Sequence, residues 1–274
     1  MPKIILPRWV KNHRKILSES DKEKLCINLA AKLERYKCKN PEVSLVIPAW
    51  NEEENILVTL SSFADQLTER MLELIVVNNN STDRTQQLLD ACGVKTFYEE
   101  TQSISQARQL GLEKAKGKYI LCADADSIYP STWVETFVTE LENKNVVCVY
   151  GRHSFIPEGR MSRLILAFYE IIANIVFVFR KNRKEYLNVL GFNFGFRKED
   201  AVRVGGFNTY RKKWSDGWMG MKLAEIGKLK RIESNKALVW TNPRRLIIDG
   251  GLLSAFSKRI NKEFNVLKEY MVSG

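Results

Sequence analysis

The stretch Leu121-Cys122-Ala123-Asp124-Ala125-Asp126-Ser127 decides how the rest of the chain is interpreted. It ends a strand-like run over residues 118–122. Residues two apart in a strand point to the same face, so we expect Asp124 and Asp126 to present two carboxylates at one point beyond the strand. Paired carboxylates suit hard cations that also bind a diphosphate, Mg²⁺ or Mn²⁺ above all. A polar turn is the competing interpretation, because Asp and Ser are common in turns.

An alternation of strand, turn and helix extends on both sides of this stretch. Strand-like apolar runs occupy residues 43–47, 73–77, 94–98, 118–122 and 146–150. Such alternation predicts a mostly parallel α/β sheet, in which ligands bind beyond the carboxyl ends of the strands. Polar clusters follow three of these strands: Asn51 and Glu52, residues 78–83, and Asp124 with Asp126. We therefore predict a nucleotide-type site at this edge, although neither GxGxxG nor GxxxxGK[ST] is present.

Composition and charge exclude some classes of protein. The 274 residues are 45% hydrophobic and 27% charged, as expected of one large α/β domain or two closely packed halves. Residues 44–150 carry 16 acidic and eight basic residues, whereas the flanks are basic and bring the net charge to +11. A nucleic-acid binder is usually basic where its motif lies, so no nucleic-acid partner is expected. The basic flanks suit a surface that meets phosphates or an anionic membrane, or are merely solvated.

Location is predicted from the cysteines and the first residues. Five cysteines form an odd set without metal-type spacing, which indicates reduced thiols and a cytoplasmic protein. The apolar run before Arg8 is too short for a signal peptide.

Three segments outside the alternation have helical patterns. Residues 14–37 predict an amphipathic arm that packs or docks, with Ser20 and Glu23 at capping-box spacing. Residues 161–179 are strongly apolar but shorter than the about 20 residues of a membrane span, so a core helix and an interfacial membrane helix both stay open. Residues 252–270 predict a basic amphipathic tail that packs on the body or on a membrane.

The order of these motifs resembles family 2 glycosyltransferases with the GT-A fold. The resemblance is carried by residues 43–52, 76–83, 107–108, 111–112, 115–119 and 124–126, and more weakly by residues 205–207 and 214–218. It implies an α/β fold with a mostly parallel central sheet flanked by helices, an N-terminal helical arm and a C-terminal amphipathic helix. The implied division is an arm (1–42), a nucleotide-sugar-binding half (43–150), an acceptor-binding half (151–243) and a tail (244–274).

The resemblance also implies the donor site. Its ligand would be a nucleotide-diphospho-sugar of the UDP or GDP type, with Mn²⁺ or Mg²⁺ held by Asp124 and Asp126. The implied donor-binding residues are Pro48, Trp50, Glu52, Asn78, Asn80, Arg108 and Asp124. Arg108 would face the diphosphate. Asn78 replaces an Asp that usually accepts a hydrogen bond from the base, and its amide adds donors.

Catalysis is implied at Asp216, the base that would take a proton from the acceptor. The family commonly has Glu-Asp where this chain has Ser215-Asp216. Trp214 and Trp218 would offer indole faces to a sugar ring, and Asn193 is a further candidate for acceptor contact. A helix-capping role for Asp216 is the competing interpretation.

The expected function is inverting sugar transfer to a hydroxyl of a glycan or lipid-linked glycan, as in polysaccharide biosynthesis. A sugar nucleotidyltransferase and a non-catalytic sugar- or membrane-binding module are the alternatives. We expect a cytoplasmic location, with peripheral contact on the inner face of the membrane as an open alternative.

Overall fold

The computed structural model describes residues 2–15, 19–159, 161–181, 184–210, 214–244 and 246. The strands are β1 (Val43–Ala49), β2 (Leu72–Asn78), β3 (Lys95–Tyr98), β4 (Tyr119–Cys122), β5 (Ser127–Ile128), β6 (Val146–Gly151), β7 (His153–Phe155), β8 (Phe194–Arg197), β9 (Lys228–Ile232) and β10 (Val239–Thr241). The α-helices are α1 (Arg8–His13), α2 (Glu19–Leu33), α3 (Ile56–Ala64), α4 (Thr85–Ala91), α5 (Ile104–Lys114), α6 (Trp133–Leu141), α7 (Arg163–Lys181), α8 (Lys198–Arg203) and α9 (Ser215–Ala224). Short 3₁₀ helices cover Glu34–Tyr36, Glu185–Asn188 and Asn235–Ala237.

Seven strands form the central sheet in the order β3-β2-β1-β4-β8-β6-β9. Strand β8 runs antiparallel to β4 and β6, and the other strands share one direction. The predicted mostly parallel sheet is therefore confirmed. Strand β8 begins at Phe194, directly after a turn in which Asn193 N donates a 3.0 Å hydrogen bond to Leu190 O.

Both faces of the sheet are buried, which explains the near-continuous apolar runs of β1 and β2. Leu45 and Ile47 lie in a core cluster with side chains of α2, α3 and α6. Val46, between them, belongs to a second cluster, on the side of α5 and α9. The period of two that places neighbours on opposite faces is thus visible within β1.

The N-terminal arm is part of the core. Helix α2 occupies most of the predicted 14–37 segment and packs against α3 and α4. Leu29, Leu33 and Tyr36 are buried, and the Tyr36 hydroxyl donates a 2.6 Å hydrogen bond to Phe63 O. The described part of this segment therefore packs against the body of the protein. Helix α1 was not predicted from the sequence.

A smaller sheet in the order β5-β10-β7 lies beside the carboxyl end of β4. Strand β10 is central, antiparallel to β5 and parallel to β7. Thr241 of β10 pairs with Ser127 of β5, and their hydroxyls are 2.9 Å apart. Because Ser127 follows Asp126 directly, this pairing brings the segment after β10 to the predicted metal site.

Helix α7 turns polar side chains inward. Arg163 and Glu170 are buried and form an ion pair with a 2.6 Å separation of Nη2 and Oε2. Glu170 also accepts a 2.7 Å hydrogen bond from Phe155 N. Large apolar side chains point outward along the opposite face: Leu164, Phe168, Ile171, Ile175 and Val178. Helix α7 therefore packs on the body through one face and leaves an apolar face uncovered by the described residues.

No helix within the described ranges combines the length and the apolarity needed to cross a bilayer. The predicted tail helix, residues 252–270, lies outside the described residues.

Candidate active site

The carboxyl end of the sheet holds a cleft of about 320 Å³. It is lined by Pro48 near the end of β1, by Trp50 and Glu52 just after that strand, and by Asp124 and Asp126 after β4. The structure thus brings these predicted donor and metal residues together. The backbone N–H of Asp124 donates a 2.9 Å hydrogen bond to the Tyr129 hydroxyl, which fixes the turn that carries both aspartates.

The polar run after β2 supports its own turn. Asn78 is buried, and its Oδ1 accepts a 2.9 Å hydrogen bond from Ser81 N while its Nδ2 donates a 2.8 Å hydrogen bond to Gln86 Oε1. Asn80 Oδ1 accepts a hydrogen bond from the Tyr98 hydroxyl. Asn79, between them, lines the cleft. In the structure, the amides of Asn78 and Asn80 are thus engaged in holding the loop.

Arg108 joins the two halves of the predicted site. It is 4% exposed, and its Nη2 lies 3.2 Å from Asp124 Oδ1 while its Nη1 donates a 2.9 Å hydrogen bond to Ser215 Oγ. A Cβ at Gly191 would lie 1.8 Å from Nη2, so only glycine leaves room for this side chain. Burial alone would lower the pKa of Arg108, but the charges of Asp124 and Asp216 outweigh it and raise that pKa. The guanidinium is a fixed positive charge under the cleft.

Asp216 lies in the first turn of α9, beside Ser215. Its Oδ2 accepts a 2.8 Å hydrogen bond from Gly191 N, and its Oδ1 accepts a 2.9 Å hydrogen bond from Gly217 N. The position before the helix is occupied by Trp214, so Asp216 is not at the capping position. Its carboxylate is oriented by backbone groups of two segments, as a positioned base requires.

The rim of the site has an unusual backbone. Asn51, Asn80 and Trp214 are the non-glycine residues of the described ranges with positive φ, at 51°, 61° and 69°. Asn adopts this conformation readily, whereas for a bulky side chain such as Trp it is strained. Strained backbone is concentrated at functional sites. The Trp214 indole packs over Gly217, where a Cβ would lie 1.9 Å from its Nε1.

Asn193, the further candidate for acceptor contact, is buried between β6 and the turn before β8. It is 1% exposed, its Oδ1 accepts a 2.8 Å hydrogen bond from Trp133 Nε1, and its Nδ2 donates a 2.8 Å hydrogen bond to Arg152 O. Both polar atoms of its side chain thus have partners inside the protein, and its contact with an acceptor stays a prediction. Trp218 is partly buried on α9, near Trp214 and Asp216.

Sequence reasoning missed Arg244, which completes the cleft. Its Nη1 donates a 3.2 Å hydrogen bond to Glu52 Oε2, and its Nη2 pairs with Glu52 Oε1 and lies 3.2 Å from Asp126 Oδ2. Burial alone would lower the pKa of Arg244, but the hydrogen bond to Glu52 and the charge of Asp126 raise it. The chain has 43 Lys and Arg residues, and no local sequence pattern distinguishes Arg244 from the others.

Cys122 and Tyr129 stay protonated beneath the aspartates. Burial raises the pKa of the Cys122 thiol to about 12, which excludes a thiolate nucleophile at neutral pH. Burial, together with the charge of Asp124, raises the pKa of Tyr129 well above its usual value. Its hydroxyl donates a 2.9 Å hydrogen bond to Phe192 O.

The donor set fits a divalent cation of the Mg²⁺ type. Within the described residues, no three His, Cys, Asp or Glu side chains form a closed metal cluster. Mg²⁺ is usually held by one or two carboxylates with substrate phosphates and water rather than by an all-protein cage. Asp124 and Asp126 provide these carboxylates at the mouth of a cleft that is open to a ligand.

Solved structures with a similar fold are glycosyltransferases. The mannosyltransferase PcManGT from Pyrobaculum calidifontis, in complex with GDP-Man and Mn²⁺, has a TM-score of 0.59 at 20% identity and covers 88% of this chain and 76% of its own. S. aureus TarS residues 1–349, in complex with UDP-GlcNAc, has a TM-score of 0.56 at 17% identity over 73% of this chain and 58% of its own. The predicted GT-A fold is confirmed.

The sequence gives the family. The profile of glycosyl transferase family 2 matches residues 44–215, more than half of the chain, and the chain belongs to this family. The glycosyltransferase GlyG of Streptococcus pneumoniae serotype 4 is 27% identical over 200 residues, which cover 62% of this chain and 66% of GlyG. An uncharacterized glycosyltransferase of Rickettsia bellii is 26% identical over 134 residues, 47% of this chain but only 19% of that protein. The chain therefore matches only part of the length of these relatives.

Proposed function

We propose that the protein transfers a sugar from a nucleotide-diphospho-sugar to a hydroxyl of a glycan or lipid-linked glycan, with inversion at the anomeric carbon. The observation that carries this proposal is the position of Arg108. It contacts Asp124 on the donor side at 3.2 Å and Ser215, next to Asp216, at 2.9 Å. Donor site and candidate base are thus adjacent, as a single displacement requires.

The donor half would bind a UDP or GDP sugar. Support comes from TarS with UDP-GlcNAc and PcManGT with GDP-Man, which share the fold. Pro48 and Trp50 would line the nucleotide pocket, and Trp50 is half exposed at the cleft. Asp124 and Asp126 would hold Mn²⁺ or Mg²⁺. When bound, that cation would neutralise charge on the departing diphosphate.

Asp216 would act as the base. The acceptor oxygen forms a bond to the anomeric carbon from the face opposite the diphosphate, whose bond to that carbon breaks with its electron pair. The hydroxyl proton passes to the Asp216 carboxylate. Arg108 would stabilise the negative charge of the departing diphosphate, since it is buried and lies beside both Asp124 and Ser215. Trp214 and Trp218 would border the acceptor sugar.

A lipid-linked acceptor, with peripheral membrane contact, is favoured by helix α7. Its polar residues Arg163 and Glu170 bind the body, while Phe168 and Ile175 are 66% and 51% exposed. An apolar row of this size marks a binding surface. A groove of about 530 Å³ runs between α7 and Gly151 of β6. Arg180 and Lys181 end the helix with positive charge, which suits anionic headgroups.

A donor panel tests the proposal. Purified protein is incubated with UDP-, GDP- and dTDP-sugars and with nucleoside triphosphates plus sugar phosphates, each with Mn²⁺ or with chelator. We expect Mn²⁺-dependent release of a nucleoside diphosphate from one sugar nucleotide, and inversion when an acceptor is supplied. Pyrophosphate release from a triphosphate would instead show a nucleotidyltransferase. Binding of a sugar nucleotide without turnover in the presence of glycan and lipid-linked acceptors would favour the non-catalytic module.

A further inference from the structure

Arg244 lies on Glu52 and on Asp126, one of the two carboxylates that would hold the cation. Its guanidinium binds both oxygens of Glu52 and lies 3.2 Å from Asp126 Oδ2. The side chain of Arg244 is 39% exposed, whereas those of Glu52 and Asp126 are 6% and 13% exposed. Arg244 thus reaches from the rim of the cleft onto two largely buried acids.

The attachment of Arg244 allows it to move without unfolding the sheet. It follows β10 in a short turn in which Arg244 N donates a 2.8 Å hydrogen bond to Asn242 Oδ1. Its side chain is anchored by its charged end, through Glu52 and Asp126. Arg108 is the opposite case, being 4% exposed and enclosed by Gly191, Asp124 and Ser215. One arginine is fixed beneath the cleft, and the side chain of the other is held at its mouth by ion pairs with Glu52 and Asp126.

Binding of cation and donor would leave the net charge of the site unchanged but would bring a competitor for Asp126. Glu52, Asp124 and Asp126 provide three negative charges against two positive ones from Arg108 and Arg244, which leaves −1. A divalent cation and the diphosphate of a sugar nucleotide bring +2 and −2, so the balance is unchanged. The cation and Arg244 nevertheless compete for the same Asp126 oxygens. A guanidinium released from a carboxylate finds an equally good bidentate partner in a phosphate.

We propose that Arg244 exchanges partners: it neutralises Glu52 and Asp126 in the free protein and moves onto the donor diphosphate when donor and cation bind. The inference rests on the proposed function, because it takes a nucleoside diphosphate as ligand of the same site. It assigns Arg244 two opposite effects. The arginine weakens binding of the cation alone and strengthens binding of the nucleotide.

Two binding measurements on the full chain test this exchange. The Kd of Mn²⁺ alone is measured by electron paramagnetic resonance, and the Kd of UDP and of GDP in saturating Mn²⁺ by calorimetry. In R244A we expect Mn²⁺ to bind on the order of tenfold more tightly and the nucleotide on the order of tenfold more weakly, as for loss of one charge-assisted contact. R244Q keeps most of the side-chain length and should shift both constants in the same directions.

Arg203→Ala is the matched control. Arg203 is exposed at the end of α8, which follows β8 at the opposite edge of the sheet from Asp126. The variant loses the same charge as R244A but far from the cleft, so the Kd values of Mn²⁺ and of nucleotide should stay at their wild-type values. The exchange would be overturned if the Kd of Mn²⁺ stayed unchanged in R244A and R244Q, or if both variants bound Mn²⁺ and nucleotide more weakly. In either case, nucleotide binding by the wild type would still support the proposed function. Absence of UDP and GDP binding in the wild type would remove the proposed function, and the exchange with it.

Discussion

The end of strand β4 and helix α7 place their charges in opposite ways. After β4, Asp124 and Asp126 line an open cleft, with arginines drawn onto them. On α7, Arg163 and Glu170 neutralise each other inside the protein and the apolar residues face outward. Under the proposed function the charges that line the cleft would bind ligand, whereas the charges paired inside the protein attach α7 to the body and leave its apolar outer face exposed.

The largest effect is expected at the cleft, from Asp126→Asn. The amide loses the negative charge that a divalent cation requires, and such a cation supplies several kcal/mol of charge stabilisation. We expect Mn²⁺-dependent turnover to fall by on the order of 10³-fold or more. The rate is measured as nucleoside diphosphate release over a Mn²⁺ titration.

Asp65→Asn is the control for this change, because Asp65 is a surface carboxylate 3.2 Å from Lys32 and outside the cleft. It should leave the rate unchanged. Full activity of Asp126→Asn in the presence of chelator would mean that Asp124 and Asp126 do not hold a catalytic metal ion.

The next largest effect is expected from Asp216, and it tests whether this residue acts as the base. Asp216→Asn should reduce kcat by about 10²–10⁴-fold, the usual contribution of a positioned base. The amide cannot accept from both Gly191 N and Gly217 N, so unfolding free energy should fall by about 1 kcal/mol. Donor affinity, measured by calorimetry, should stay close to that of the wild type. Equal losses in donor affinity and kcat would show that Asp216 supports the fold of the cleft instead.

The smallest effect is expected on α7, where it concerns attachment to lipid rather than chemistry. The double change Phe168→Ser and Ile175→Ser removes two exposed apolar side chains, each worth about 1.5–3 kcal/mol when fully buried. Binding to vesicles that contain anionic lipid should weaken at least tenfold in a sedimentation assay, whereas hydrolysis of a soluble donor should not change.

Val202→Ser provides the comparison, because Val202 is 62% exposed on α8 and lies outside α7. It should bind vesicles as the wild type does. If wild type does not bind vesicles at all, the outer face of α7 has a protein partner or no partner.

The cleft was predictable where its residues are close in sequence. The alternation of side chains between the two faces of β4 is a local property, and so is the position of Asp124 and Asp126 just after this strand. The structure places both aspartates in the cleft with Pro48 and Glu52. Contacts between distant segments have no such signature. Arg108 meets Ser215 over a separation of 107 residues, and Arg244 meets Glu52 over 192.

Helix α7 shows a second limit. Its sequence reveals a polar stripe through Arg163 and Glu170, but periodicity alone does not say which side of a helix faces the body. That choice depends on Ser154 and Phe155, which supply hydrogen bonds of 2.9 and 2.7 Å to Glu170 from another strand. The start of β8 depends on distant residues in a similar way, since the turn at Asn193 is held by Trp133 and Arg152.

The pairing of β10 with β5 has a consequence for where the chain can be shortened. A protein ending at Thr241 would retain all of residues 44–215, the part matched by the family, and both sheets. It would nevertheless leave Glu52 and Asp126 without their shared counter-charge. The role proposed for Arg244 would therefore place the end of the catalytic unit at or beyond this residue, past the end of the family match at residue 215.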